Sequence, residues 1–127
     1  MSAIGRTAVD AQELARALSV AQRHVREVNE ANGWFEDDRT VGDDIALLHS
    51  EVSEALEAPR EHGLVDFTKP SVDGELPKPE GFGSEIADLL IRILDTVERR
   101  RIDLAYEFER KLRHNATRGY RHGGKNI

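Results

Sequence analysis

The stretch from Ser84 to Arg99 constrains the fold more than any other. Ile86, Leu89, Leu90, Ile91, Ile93, Leu94 and Val97 cover more than half the circumference of a helix drawn through it. A helix apolar over so wide an arc is buried on more than one side. In a chain of 127 residues, a second subunit is one source of that cover. The remaining strip is narrow and carries Glu85, Asp88, Arg92 and Asp95. Acids beside a core are costly unless they are partnered.

A second helix is predicted from Thr40, as N-cap, to Pro59, which ends it. Val41, Ile45, Leu48, Val52, Ala55 and Leu56 form its apolar stripe, and Glu51 and Glu54 lie along the edge. Glu51–Glu54 and Glu85–Asp88 are both spaced i, i+3, which puts each pair on one helical face with Cβ atoms roughly 5–6 Å apart. If the two helices pack side by side, four carboxylates converge and repel unless a cation joins them. A hard divalent ion with oxygen ligands, Mg²⁺ or Mn²⁺, suits such a set. Taken singly, an acidic pair on a helix is most often a solvated face. Asp95, on the same strip, is expected to pair with Arg92, with an outer metal ligand as the alternative.

The rest of the chain reads as two more helices and two loops. Leu14, Leu18, Ala21, Val25 and Val28 recur at 4-3-4-3 spacing and predict a helix from Val9 to Asn32, stopped by Gly33. Trp34 and Phe35 then read as loop anchors, with stacking on a nucleobase as the alternative. Asp43 and Asp44 suit the first turn of the second helix. Residues 59–80 hold Pro70, Pro77, Pro79, Gly63 and Gly74 and have no periodicity, so a flexible connector or a cover over the acids is expected. A fourth helix opens at Asp103 with Ala105, Phe108 and Leu112 as its stripe. Residues 116–127 form a basic, glycine-rich tail; Gly123, Gly124 and Lys125 can offer N–H groups and an ammonium to an anion, although a frayed terminus is the commoner meaning.

Bulk properties narrow the function. The net charge of −6 argues against nucleic acid as a partner, and against any polyanion not bridged by metal. There is no cysteine, so disulfides and thiolate metal sites are excluded. No apolar leader and no run of roughly 18 apolar residues occurs, so a cytoplasmic protein without a membrane partner is expected. The length fits one domain, residues 1–127. No P-loop, zinc-ligand helix or EF-hand pattern occurs.

Two motifs together carry a resemblance: Leu48-His-Ser-Glu51-Val-Ser-Glu54-Ala-Leu56 and Gly83-Ser-Glu85-Ile-Ala-Asp88-Leu-Leu90. With Lys111, Asn115, Arg118, Tyr120 and His122-Gly-Gly-Lys125, the chain resembles the MazG-like all-α nucleotide pyrophosphohydrolases, in a small single-domain branch. The resemblance implies an all-α, four-helix bundle-like fold that forms homodimers or homotetramers. It implies Mg²⁺-dependent hydrolysis of a nucleoside triphosphate to the monophosphate and pyrophosphate. It puts Glu51, Glu54, Glu85 and Asp88 at the metal-ligand and catalytic positions. Lys111, Asn115, Arg118, Tyr120, His122, Lys125 and Trp34 become candidate substrate contacts. Many members carry a further Glu just before the first pair, where this chain has Ser50. Alternatives are a phosphoribosyl-ATP pyrophosphohydrolase, to which the long loop and the tail are less suited, and a non-catalytic helical interaction module with merely solvated acids.

Overall fold

The computed structural model describes residues 3–36 and 38–119. They form four helices, α1 (Ala3–Ala31), α2 (Val41–His62), α3 (Phe82–Arg99) and α4 (Leu104–Thr117), and a hairpin of β1 (Asp66–Lys69) and β2 (Lys78–Gly81). The helices pack in the order α4, α1, α3, α2, and the hairpin sits against α2 and α3. The chain is thus mainly α-helical, as expected. Helix α1 begins ahead of the expected Val9.

The helix ends follow local chemistry. Thr40 caps α2 reciprocally: its hydroxyl accepts from the Asp43 N–H at 3.0 Å, and the Asp43 carboxylate accepts from the Thr40 N–H at 2.9 Å. Asp103 caps α4 through the Tyr106 N–H. Helices α1 and α3 end in the same paired-bond turn. Trp34 N–H reaches the Asn29 carbonyl and Gly33 N–H the Glu30 carbonyl; Ile102 and Arg101 repeat the pattern on Val97 and Glu98. The left-handed residue is Gly33 (φ 80°) in the first turn and Arg101 (φ 56°) in the second.

Two expectations are corrected. Pro59 does not end α2, which continues to His62. Pro59 cannot donate to the Ala55 carbonyl, but the last turn closes when Gly63 N–H bonds the Pro59 carbonyl at 2.9 Å. The segment expected to lack regular structure contains the hairpin. Its antiparallel register pairs Asp66 with Gly81 and Lys69 with Lys78. A Cβ at Gly81 (φ 113°) would collide with the Val65 carbonyl, so that pairing needs glycine.

The buried apolar set is small: Ala11, Ala55, Leu94, Val97 and Ala105. The largest fully buried side chains are two acids, Asp44 and Asp95, each 1% exposed. Asp95 accepts from Asn29 Nδ2 and from Arg39 Nη2, both at 3.0 Å. Asp44 accepts from Arg100 Nε at 2.6 Å, while Arg100 Nη2 bonds the Arg39 carbonyl. The guanidinium groups of Arg26 and Arg99 both stack on the ring of Phe35, 4.8 and 4.7 Å from its centroid. The α1–α2 loop is therefore tied to α3 by charge as much as by apolar contact. Asp95 and Arg92 are not each other's partners; this replaces the expected pair.

Much apolar surface stays uncovered. Val41, Ile45, Val52 and Leu56 of α2 and Ile86 and Leu90 of α3 are between 44% and 60% exposed. No helix among the described residues is long and apolar enough to cross a membrane.

Candidate metal centre

Packing of α2 on α3 brings the two acidic pairs together. One carboxylate oxygen each of Glu51, Glu54 and Glu85 lies within 4.8 Å of the others. Asp88 is outside that three-oxygen group but near enough to act on it: its charge helps raise the Glu54 and Glu85 carboxyls. Burial, then Glu51, pushes the Glu54 carboxyl above its ordinary value. Burial, then Asp88 and Glu54, raises Glu85. Burial and Glu51 raise Asp88, with Lys78 and Arg92 pulling the other way. Burial is thus the first cause of all three shifts, and the neighbouring carboxylates add to it.

The donor set suits a hard cation. It consists of carboxylates, which a divalent ion of the Mg²⁺ type prefers. Oε2 of Glu85 is buried and has no hydrogen-bond partner among the described residues. An orphaned buried oxygen on a member of a carboxylate cluster is a group that a cation would satisfy. The hairpin helps to place it: Asp66 Oδ1 accepts the Gly83 N–H at 2.9 Å, fastening β1 to the first turn of α3, where Glu85 sits.

Two cavities flank the acids, and Asp88 borders both. One, of 160 Å³, is lined by Asn29, Trp34, Glu51, Asp88, Arg92 and Asp95, among others. Trp34 is 49% exposed and is drawn back beside Asn29 by the turn at Gly33. Of the two adjacent aromatics, Phe35 is the anchor and Trp34 faces a cavity. The second is a groove of 660 Å³ between the hairpin and α3, with Phe67, Thr68, Glu80, Ser84 and Asp88 in its walls. Lys78 and Lys69 both reach Glu80 there, at 3.0 and 3.6 Å.

The remaining sequence candidates are dispersed. Lys111, Asn115 and Arg118 are exposed; Lys111 and Asn115 lie on α4, with Arg118 as its C-cap, and the main packing partner of α4 is α1. Tyr120, His122 and Lys125 lie outside the described residues. Asn29, the Arg92–Glu51 contact and the hairpin lysines were not evident from sequence. Asn29 had one signal, its position five residues before Trp34 across a turn that Gly33 announces. Comparison with family models, with curated proteins and with solved structures finds no match to this chain.

Proposed function

We propose that the chain is a Mg²⁺-dependent nucleoside triphosphate pyrophosphohydrolase of the MazG-like kind. The observation that supports it most is the buried, unpartnered Glu85 oxygen within a convergent carboxylate set, beside a cavity walled by an exposed tryptophan. In this reading Glu51, Glu54 and Glu85 hold the cation, with Asp88 at the edge. A bound divalent ion supplies charge neutralisation and polarises the phosphorus under attack. The oxygen of a water bonds to the α-phosphorus. The bond from that phosphorus to the bridging oxygen breaks, and pyrophosphate leaves with the electron pair. The proton from water passes to a carboxylate; Glu54, the most exposed of the three, is the assigned acceptor. Trp34 stacks on the base.

The uncovered apolar faces of α2 and α3 support a homodimer or homotetramer. Lys111, Asn115 and Arg118 then serve the site of a second copy, with Tyr120, His122 and Lys125 following on the same tail. No nucleic acid partner and a cytoplasmic setting complete the reading.

The test is a panel of ribo- and deoxynucleoside triphosphates incubated with the protein and Mg²⁺. The expected products are a monophosphate and pyrophosphate. Glu54→Gln should abolish turnover while the circular dichroism spectrum persists. A panel without metal-dependent turnover leaves the interaction module in its place.

A further inference from the structure

Arg92 is the basic side chain of the 160 Å³ cavity, whose other charged walls are the carboxylates of Glu51, Asp88 and Asp95. Its Nη2 donates to Glu51 Oε1 at 3.1 Å, and the two side chains are only 22% and 13% exposed. Asp95 does not compete for it, because its two oxygens are taken by Asn29 and Arg39. A guanidinium has five N–H donors. The contact to Glu51 is the hydrogen bond that its side chain makes among the described residues. A planar, permanently charged fork thus stands in the cavity with most of its donors unused, held by a member of the convergent carboxylate set.

We infer that Arg92 is a catalytic phosphate contact: held by Glu51 at the edge of the carboxylate set, it offers the rest of its fork to the phosphoryl oxygens of the substrate. This rests on the pyrophosphohydrolase reading above. During the attack, charge gathers on the non-bridging oxygens of the α-phosphate and on the oxygen that leaves with pyrophosphate. A guanidinium matches two such oxygens at once, which an ammonium does not. The contact with Glu51 has a second effect. A cation 3.1 Å from a ligand oxygen opposes the arrival of another cation at the same carboxylate.

The two roles predict opposite responses in one variant. In Arg92→Gln, Mn²⁺ affinity measured calorimetrically without nucleotide should rise severalfold, because the competing charge is gone. Its kcat should fall by about 100-fold or more, the scale for losing one preorganised donor at a charged transition state. Arg92→Lys should keep the fold and the weaker Mn²⁺ affinity, yet recover little of kcat; it carries the test should Arg92→Gln not fold. A salt bridge that merely positions Glu51 predicts the reverse for metal, weaker binding in the glutamine variant. Weaker Mn²⁺ binding, or an unchanged kcat, overturns the assignment of Arg92 and leaves the pyrophosphohydrolase reading standing. Absence of both Mn²⁺ binding and turnover in the unmutated chain overturns that reading, and the inference with it.

Discussion

At the scale of residues, acids do three different jobs in this chain. Asp43 and Asp103 cap helices, Asp44 and Asp95 tie the α1–α2 loop to α3, and Glu51, Glu54 and Glu85 converge with Asp88 beside them. The sequence separates the first group by position in the helix. It cannot separate the second from the third, because Asp88 and Asp95 share one strip of one helix. The partner of Asp95 comes from Arg39, 56 residues away, so its role is set by how the loop folds back. The Asp44 knot should matter for stability. Asp44→Ala leaves Arg39 and Arg100 facing a buried gap, and losing one member of a buried ion cluster costs about 3–5 kcal/mol. Urea denaturation should show that loss, with a much smaller one for an exposed acid such as Glu57.

At the scale of elements, signals carried by a single residue were legible and signals carried by pairing were not. Thr40, Gly33 and Asp103 mark helix ends because a cap or a left-handed turn needs particular side chains. The apolar breadth of α3 called for cover on more than one side; α3 does pack on both α1 and α2, while Ile86, Leu90 and Ile91 stay exposed. The hairpin escaped notice for a physical reason. Its strands, Asp66–Lys69 and Lys78–Gly81, are four residues long, mostly exposed, and have no alternating pattern for a period-two reading to catch. Pro59 does not stop α2 because, in the last turn, it removes one hydrogen bond, to the Ala55 carbonyl, while the turn still closes through Gly63. The two matching turns give a prediction here. Arg101 occupies the left-handed position that Gly33 fills in the first turn, and a side chain there costs roughly 1 kcal/mol or more. Arg101→Gly should therefore raise the thermal midpoint, as a denaturation scan would show.

At the scale of the whole molecule, the raised carboxyls of Glu54, Glu85 and Asp88 make stability depend on pH, and the proposed metal site would couple it to a divalent cation as well. The folded chain holds their protons more tightly than the unfolded chain. Stability from these groups is therefore full below the ordinary carboxylate range and is lost as pH rises through their raised values. Asp43 and Glu80, held low by Thr40 and Lys78, act in the opposite sense at pH below that range. Without metal, the thermal midpoint should fall as pH is raised above the ordinary carboxylate values. Mn²⁺ at about 100 times its Kd should restore about 2.7 kcal/mol. That restoration should fade as acid protonates the ligands. A midpoint that ignores Mn²⁺ at neutral pH would remove the carboxylates from metal binding.

The junction between the hairpin and the helix has its own consequence for how such a chain tolerates insertions. β2 ends at Gly81 and α3 starts at Phe82, with no linker to absorb a change in length. One residue added at that joint would turn everything after it by about 100° around the helix axis. Glu85, Asp88 and Arg92 would leave the side of the helix that faces Glu51. Residues added between the strands, from 70 to 77, would lengthen a turn and leave that phase untouched. The hairpin thus acts as a length standard for the site: free to vary at its tip, and fixed to the residue at its base.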